Sequence, residues 1–400
     1  MHAQHDIVIV GGGLVGASLA IALENSGLDV AMVEAAPPGA LPPVFDERNL
    51  SLAEASCHAL QALKIWPLLQ TASPIRRIHA SRVGDFGRVS LDASEVGREA
   101  FGHVVIARDF GEALEKRLGD VASLTRYRPA RFIDTQGLAD GRREVRVADA
   151  EGEHRITTRL LVGADGMESA VRSSLGIDAT RHDYGQTLFV SRVRPQRPPD
   201  GTAWERLGPH GPTAFLPRFD RHYGVVHGVP SEEADAVAAL DEAAWLARLQ
   251  DAFGWRAGRF VASGERSRYP AVRVVAERLI APRAVLLGNA AQSIHPIGAQ
   301  GFNLGLRDAL TLVEAITAHG LDDAAMLDAY AARRSEDRAR TLAFSDGMAR
   351  ASSNEGLAMR GLRSLGMAAL ANVPGLRAQV AAGGMGYRGD VPAMCRENAR

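Results

Sequence analysis

The N-terminal segment joins a short apolar strand to a glycine-rich turn, and this combination constrains the fold more than any other feature of the chain. Residues 6–10 (DIVIV) have the β-branched character of a buried parallel strand, and residues 11–16 (GGGLVG) lead from it into a helical pattern. Gly11 permits a tight turn, Gly13 lets the backbone approach a pyrophosphate, and Gly16 lets the helix pack closely on the strand. Because a helix N-terminus offers free N–H groups and a positive dipole end, the segment predicts a dinucleotide-binding α/β domain.

A carboxylate follows this turn at the spacing typical of dinucleotide-binding domains. A second apolar run at residues 29–33 (DVAMV) predicts the next strand, and Glu34 follows it directly, 18 residues after Gly16. At this place a carboxylate accepts hydrogen bonds from a ribose and repels a 2′-phosphate. We therefore predict that Glu34 binds the adenosine ribose. The alternative is that the glycines form only a structural turn.

A second glycine-rich helix start lies far downstream, in residues 288–308 (GNAAQSIHPIGAQGFNLGLRD). It follows a buried-strand run at residues 284–288, and two such starts this far apart cannot belong to one phosphate loop. A long cofactor held at two points explains both. FAD satisfies this better than NAD, because a helix N-terminus stabilises the negative charge of a reduced flavin ring. The predicted cofactor contacts in this segment are Gly288, Asn289, Pro296, Gly298, Gly301 and Asn303.

A third segment, residues 160–166 (LLVGADG), is another buried-strand run that ends in a turn with a carboxylate. We predict that Asp165 and Gly166 also bind the cofactor. The three segments resemble, in the same order along residues 6–310, the N-terminal fingerprint, the Asp-Gly motif and the Gly-Asp motif of the single-component flavoprotein aromatic hydroxylases.

Within that family, the downstream segment is most similar to the bacterial quinone-pathway hydroxylases. It resembles in particular the group that acts on 2-polyprenyl-6-methoxyphenol in ubiquinone biosynthesis, because Asn289 and Gln292 stand where most relatives carry Asp and His. By contrast, Gly298 and Ala299 reverse the Ala-Gly order that quinone-pathway members more often show. Apart from this reversal, the resemblance implies a hydroxylase of ubiquinone biosynthesis.

The resemblance also implies the architecture. It predicts a mixed α/β fold of the para-hydroxybenzoate hydroxylase type, in which a Rossmann-like FAD-binding domain is interleaved with a β-sheet substrate domain and followed by C-terminal helices. The FAD-binding domain is expected at residues 1–72, 103–178 and 279–330, the substrate sheet at 73–102 and 179–278, and the helical region at 331–400.

Two arginines match family positions that contact the cofactor. Arg48 corresponds to an arginine that lies along the flavin, and Arg108 corresponds to a side chain at the start of a helix. A guanidinium offers a two-pronged donor to phosphate or carbonyl oxygens, which suits this role. The alternative is that the two arginines form surface ion pairs with Asp46, Glu47 or Asp109.

The reaction implied by the resemblance is the hydroxylation of a phenol. NADPH or NADH reduces the FAD, O2 adds to the reduced ring to give a C4a-hydroperoxyflavin, and an electron-rich carbon of the phenol takes the distal oxygen. This chemistry requires a dry pocket rather than a metal or a nucleophilic side chain. The chain has no HExxH, CxxC or GxSxG motif, so we predict no metal and identify no catalytic residue. His295 is interpreted as a packing residue.

Two other functions stay open at this point. The first is a flavin hydroxylase of another quinone-pathway step or of a small soluble phenol, and the second is a non-catalytic flavoprotein scaffold subunit. An apolar tunnel favours the polyprenylated substrate, whereas a closed pocket with a polar anchor favours a soluble phenol.

Composition agrees with a two-domain enzyme. The 400 residues are 46% hydrophobic and 23% charged, which is enough to bury a substantial core. A net charge of −1 gives no reason to expect nucleic-acid binding. Cys57 and Cys395 do not form a disulfide framework, which favours a reducing cytoplasm. The uncharged run at residues 284–306 contains Asn, Gln, His and Pro, so we do not predict a membrane span there.

The C-terminal region carries an amphipathic helical pattern that the reaction does not need. An apolar-faced helix with basic residues binds an anionic membrane surface or a partner subunit, so we predict peripheral contact with the inner membrane or with a ubiquinone-biosynthesis complex. Residues 355–400 are then expected to be dispensable for FAD binding. The alternative is a helix packed on the cofactor domain. The apolar face consists of Ala358, Leu362, Leu365 and Ala369, with Arg360 and Arg363 opposite.

Overall fold

A computed structural model describes residues 2–43 and 45–397 of the chain, so the ends of the predicted domain ranges, residues 1 and 398–400, lie outside it. Within the described residues there are twenty strands and ten α-helices, numbered here in chain order. The strands are β1 His2–Val10, β2 Val30–Val33, β3 Asn49–Ala53, β4 Ser73–Pro74, β5 Arg77–Arg82, β6 Arg88–Asp92, β7 Gly102–Ile106, β8 Leu124–Tyr127, β9 Arg131–Gly137, β10 Arg143–Asp149, β11 Gly152–Gly163, β12 Ala179–Pro195, β13 Thr202–Gly208, β14 Gly211–Pro217, β15 Tyr223–Pro230, β16 Phe260–Ser263, β17 Ser267–Ala276, β18 Ile280–Ala281, β19 Ala284–Leu286 and β20 Gln292–Ser293. The helices are α1 Leu14–Ala22, α2 Glu54–Ala62, α3 Ala107–Gly119, α4 Ala170–Ser174, α5 Ala234–Ala238, α6 Glu242–Phe253, α7 Gly301–His319, α8 Ala325–Ser353, α9 Leu357–Asn372 and α10 Pro374–Gly384.

The first sheet is a parallel core with an antiparallel extension. Strands β19, β11, β1, β2 and β8 lie side by side and parallel, and β18, β9 and β10 extend the sheet with antiparallel pairs. The central strand β1 is fully buried at Ile7, Val8 and Ile9, because helices cover both faces of such a sheet. This arrangement confirms the predicted Rossmann-like α/β class.

The second sheet has nine strands in the order β20, β17, β12, β15, β14, β13, β5 and β6, with β16 paired to β12. One face packs against α6, whose N-cap Asp241 accepts a hydrogen bond from the Ala244 N–H at 2.8 Å. Trp245 and Leu249 of that helix are fully buried against Phe215. On the opposite face, Leu207 packs against Ile297 of the segment that precedes α7, and Gly224 lies against Asn49 of β3.

The chain passes between the two sheets several times. A small third sheet of β3, β7 and β4 lies at the crossing. Most strands of the second sheet fall within residues 73–102 and 179–278, as the interleaved prediction expects, but β20 belongs to it from within the predicted FAD-binding range. β4 pairs with the third sheet instead of joining the second.

The C-terminal helices are tied to the core by buried charges and apolar contacts. Arg334 of α8 is completely buried, and it donates to Asp308 at 2.7 Å and to Asp337 at 2.8 Å, which joins α7 to α8. Helix α8 begins at Ala325, six residues before the predicted region at 331. After α10 the chain returns to the main core, where Cys395 is buried near α2.

Candidate functional site

The N-terminal glycine turn connects β1 to α1 with no room for larger residues. Gly11 has a φ of +106°, and a Cβ there would lie 2.4 Å from the Ala164 carbonyl oxygen. A Cβ on Gly16 would lie 1.9 Å from the Gly11 carbonyl oxygen, so only glycine allows this helix–strand contact. Gly13 is the N-cap residue of α1, and without a side chain it leaves the free N–H groups of the first turn uncovered. The roles predicted for Gly11 and Gly16 in the turn agree with this geometry.

Glu34 lies at the end of β2 and holds the glycine turn. One carboxylate oxygen accepts a hydrogen bond from the Gly12 N–H at 2.7 Å, and the other accepts from the Ala36 N–H at 2.7 Å. The side chain is buried, and it lines a narrow cleft together with residues of β2 and α3. A carboxylate has further acceptor positions, so binding of a ribose by Glu34 stays a prediction that this geometry permits.

The Asp-Gly segment is arranged as a capped turn that reaches toward the downstream segment. Asp165 accepts hydrogen bonds from the Ser169 hydroxyl at 2.5 Å and from the Val171 N–H at 3.0 Å, so it holds the first turn of α4, whose N-cap residue is Ser169. Gly166 has a φ of +90°. Arg172 donates to the Ala290 carbonyl at 2.9 Å, which fastens this turn to the strand end before α7.

The two glycine-rich helix starts, far apart in the chain, meet in the structure. Gly288 has a φ of +56°, and a Cβ there would lie 2.8 Å from the Val15 side chain of α1. A Cβ on Gly305 of α7 would lie 2.7 Å from the same side chain and 3.1 Å from the Gly288 Cα. Helices α1 and α7 therefore approach closely through glycine, and their N-terminal turns lie in the same region, as a cofactor held at two points requires.

Residues of the downstream segment fall into two groups. Asn289 is exposed although Gly288 and Ala290 on either side are buried, and Pro296 and Gly298 are also exposed. These side chains and backbone groups are open to a ligand.

Asn303, by contrast, has its hydrogen-bonding capacity filled by the protein. It accepts from the Ala53 N–H at 2.9 Å and the Ser56 hydroxyl at 2.8 Å, and it donates to the carbonyls of Ser51 and Ala299. Its side chain positions the start of α7 against β3, and a cofactor contact at this residue would come from the backbone. Gly301 is the first residue of α7, where the helix start was predicted.

The two arginines of the sequence prediction are both paired with acidic side chains. Arg48 donates to Asp46 through two nitrogens, each at 2.8 Å, and its guanidinium lies 4.4 Å from the ring centre of Tyr269. Burial opposes ionisation of Asp46, but hydrogen bonds from Arg48 and Tyr269 outweigh it and lower the pKa of this carboxyl. Arg108 pairs with Glu47 at 2.5 Å with both side chains half exposed. These are two of the ion pairs left open above, and cofactor contact by either arginine stays a prediction.

Two buried histidines, His227 and His295, have pKa values that burial lowers. Burial lowers the pKa of His295 to about 4, and its ring nitrogen lies 3.3 Å from the Gln186 side-chain oxygen. His227 lies in the second sheet beside Thr213 at 2.9 Å, and burial lowers its pKa to about 4. Both are therefore neutral at pH 7, and a packing role for His295 stays a prediction.

The face of the second sheet that is turned toward the cofactor segment carries a row of partly exposed side chains. They are opposite one another across five neighbouring strands, while the alternate residues of β12 to β15 point into the core under α6. Each is small or apolar except one. The row, here called the groove row, consists of Ala80, Glu205, Ala214, Val226 and Val190.

Glu205 is the residue of this site that sequence reasoning missed. It lies on β13 between Ala203 and Leu207 on the same face, and the Gly298 N–H interacts with its carboxylate. Leu207 packs against Ile297 of the downstream segment. The available signal was an acidic residue with an apolar residue two positions before it and another two positions after it. The three share one face of a strand, and a residue between two apolar residues on a buried face is usually apolar as well.

The donor set and the shape of this region fit FAD. Two helix N-termini without a covering side chain, a glycine surface that no Cβ could enter, a buried carboxylate and an exposed amide surround one region beside the groove row. Helix N-termini suit the pyrophosphate and the flavin ring, and a carboxylate suits the ribose.

Comparisons with known proteins agree with this assignment. The profile of the FAD binding domain family matches residues 4–345. Ubiquinone hydroxylase UbiL of Rhodospirillum rubrum is 34% identical over 374 residues, which cover 91% of this chain and 86% of that protein. The 3-demethoxyubiquinol 3-hydroxylase of Escherichia coli is 30% identical over 317 residues, or 78% of this chain and 79% of that protein. The crystal structure of p-nitrophenol 4-monooxygenase PnpA from Pseudomonas putida superposes with a TM-score of 0.79 at 16% identity, covering 97% of this chain and 99% of that one. The chain belongs to the FAD binding domain family and is an FAD-dependent aromatic hydroxylase.

Proposed function

We propose that this protein hydroxylates a polyprenylated phenol in ubiquinone biosynthesis, with 2-polyprenyl-6-methoxyphenol as the substrate, NADPH or NADH as the reductant and O2 as the oxygen source. The observation that carries the proposal is the groove row, in which four of the five side chains are small and apolar. Such a surface suits an apolar ring and chain better than a small polar phenol. Relatives named as ubiquinone hydroxylases support the same pathway.

The chain contributes position and dryness to this reaction. When bound, FAD supplies the redox chemistry that accepts hydride and delivers an oxygen atom to the ring. Helices α1 and α7 orient the cofactor through their N-terminal turns, and the groove row places the phenol beside Pro296 and Gly298. Apolar walls exclude water, so that reductant and O2 are not consumed without hydroxylated product.

The proposal is tested with purified protein loaded with FAD. Consumption of NADPH and NADH is measured with 2-polyprenyl-6-methoxyphenol and with a small phenol that lacks the chain, and the product is identified by mass spectrometry. We expect one oxygen atom to be added to the prenylated phenol with tight coupling to reductant consumption. Hydroxylation of the small phenol alone would assign the protein to the soluble-phenol alternative. Reductant consumption without either product would contradict both.

We also propose that helix α9 binds the surface of the lipid bilayer in which such a substrate resides. Leu357, Leu362 and Leu365 are 82%, 64% and 72% exposed, and Phe86 beside them is 84% exposed. Apolar residues gathered in this way on one surface are unusual for a monomeric protein and favour an interaction site.

The arginines of α9 hold the helix in place and turn its apolar face outward. Arg363 donates to Asp85 at 2.6 Å and Arg360 donates to the Gly84 carbonyl at 2.7 Å, both in the β5–β6 hairpin. The helix therefore packs on β6 at the edge of the second sheet, and its Met367 and Leu370 lie against a cluster that contains Val104 of β7. No helix within residues 2–43 and 45–397 is long and apolar enough to cross a membrane, so the proposed contact is at the surface.

Sedimentation with phosphatidylcholine vesicles tests this contact. The double variant Leu362→Glu with Leu365→Glu is expected to stay in the supernatant while the wild-type protein sediments, because charge opposes insertion of the apolar face. Val261→Glu, at an exposed apolar residue of β16, is the control and should sediment like the wild type. Equal sedimentation of all three proteins would contradict membrane binding by α9.

A further inference from the structure

Glu205 occupies a place in the groove row that an apolar residue would fill at lower cost. Its neighbours across the strands are Ala80 and Ala214, and its neighbours along the same face of β13 are Ala203 and Leu207. An ionisable group among such residues is costly to bury unless it has a partner or a task. The Gly298 N–H lies near enough to lower the pKa of this carboxyl, against the effect of burial.

The position of Glu205 connects the two halves of the site. Gly298 lies in the segment that leads into α7, and Ile297 beside it packs against Leu207 of β13. Glu205 is only partly buried, although Ala203 and Leu207 on either side of it are buried. Its carboxyl group therefore borders the space between the sheet and the cofactor segment, where the ring of a phenol would lie.

We propose that Glu205 is a catalytic residue that accepts the proton of the ring hydroxyl of the phenol. The inference rests on the proposed function, since it assumes a phenolic substrate in the groove. The O–H bond of the phenol breaks, an O–H bond forms on the Glu205 carboxylate, and the electron pair stays on the phenolic oxygen. That charge is shared with the ring and makes the carbon opposite the hydroxyl a better nucleophile toward the oxygen supplied by the flavin.

The pKa of Glu205 suits a proton acceptor at neutral pH. Burial raises its pKa to about 7, against the lowering effect of the Gly298 N–H. A general base is most effective when its pKa lies near the working pH, because it is then both sufficiently ionised and sufficiently basic. The carboxylate population rises with pH through this value, so the rate for a protonated phenol is expected to rise in the same interval.

Other charged groups near this face are already paired or neutral. From β5, Arg82 shares the face and is bound to Asp85 at 3.1 Å. From α8, Asp346 is bound to Arg350 at 2.8 Å and to Arg273 at 3.2 Å.

The remaining groups are uncharged or lie further along the sheet. His295 of the cofactor segment is neutral at pH 7, and Tyr184 of β12 donates to Asp346 at 2.8 Å. Arg206 of β13 points to the opposite face, where it donates to the Phe253 carbonyl. At the β17 end, Asp46 and Arg48 pair with each other beneath Tyr269.

The test compares Glu205→Gln with Glu144→Gln, a control that removes another buried strand carboxylate, on β10 of the first sheet. Two alkylphenols are used, one protonated and one carrying fluorine substituents so that it is ionised at the assay pH. Product formation is measured for each variant relative to wild type with the same phenol, and FAD content is measured by absorbance. We expect Glu205→Gln to lose about 100-fold with the protonated phenol and less than about 10-fold with the ionised one, as for loss of a general base.

Several outcomes would overturn the proposal. Glu205→Gln behaving like Glu144→Gln with both phenols excludes a catalytic role, and an equal loss with both phenols shows a structural one. If Glu205→Gln fails to retain FAD, the wild-type protein decides: its rate must rise with pH around 7 for the protonated phenol and stay flat for the ionised one. A wild-type protein that hydroxylates these phenols but not the prenylated substrate would contradict the proposed pathway and leave the test of Glu205 intact.

Discussion

The cofactor half and the substrate half of the site are built on different physical constraints. Around α1 and α7 the requirement is on the backbone: Gly11, Gly16 and Gly288 lie where a Cβ would collide with neighbouring atoms. Across the groove row the requirement is on side-chain character. Every second residue of a strand faces the same side whatever its type, so the backbone imposes no choice of residue there. A backbone requirement leaves a motif in the sequence, whereas a side-chain requirement does not, and this is why cofactor binding was easier to predict than substrate binding.

The largest effect should follow from breaking the backbone constraint. Gly16→Ala places a methyl group 1.9 Å from the Gly11 carbonyl oxygen, so the helix must move away from the strand. We expect loss of FAD after desalting and destabilisation by about 3 kcal/mol or more. Gly119→Ala, at the end of α3 with no atom within 4 Å of the added Cβ, should retain FAD. Equal FAD absorbance in the two variants would contradict the constraint.

A smaller effect is expected where a side chain supports the same turn. Glu34→Gln keeps the shape but offers one acceptor oxygen to the two N–H groups of Gly12 and Ala36, and it removes the charge that would hold the ribose. FAD binding should weaken by roughly 1 to 3 kcal/mol, measured as Kd by fluorescence titration. Glu144→Gln is the control. A Kd unchanged from wild type would remove Glu34 from the cofactor site.

The pH dependence of stability tests whether His295 is a neutral, buried residue in the folded protein. Because His295 has a pKa of about 4 when folded and 6.5 when unfolded, the unfolded state binds the proton more readily. The contribution of His295 to the free energy of unfolding is therefore fully present above its unfolded pKa. It is lost as the pH falls toward its folded pKa, by about 2 kcal/mol between pH 6.5 and about pH 5. Urea unfolding should show a shallower pH dependence in His295→Asn than in wild type. Parallel curves would mean that the pKa of His295 is the same in the folded and the unfolded protein.

The smallest effect is expected at Asn289, which is exposed next to the two helix starts. Asn289→Asp keeps the fold but adds a negative charge near a cofactor that becomes anionic on reduction. The flavin reduction potential should fall, by less than about 1 kcal/mol of differential stabilisation. Potentiometric titration of the variant and wild type measures this. A potential that rises or does not move would place Asn289 away from the ring.

The C-terminal region shows the limit of reasoning from local pattern. The periodicity of residues 356–370 predicted the helix α9 and its exposed apolar face, and both are present. The same reasoning made residues 355–400 dispensable for FAD binding. The structure argues against this, because Ala381 and Met385 pack under the second sheet and Cys395 lies in the main core. Surface substitutions on α9 therefore test membrane binding better than a truncation does.

The sequence by itself determined the α/β class, the turn at residues 11–16, the place of Glu34 and the start of α7 at Gly301. Each depends on residues close together in the chain, where steric limits on the backbone and the periodicity of apolar residues act directly. The tertiary structure alone decided that Val15 packs between Gly288 and Gly305 and that Asn303 makes its hydrogen bonds to the protein. It also decided that Glu205 lies between Ala80 and Ala214 on neighbouring strands, beside the Gly298 N–H. These facts depend on which distant residues surround a side chain, and burial and hydrogen bonding are set by that surrounding rather than by neighbours in the chain.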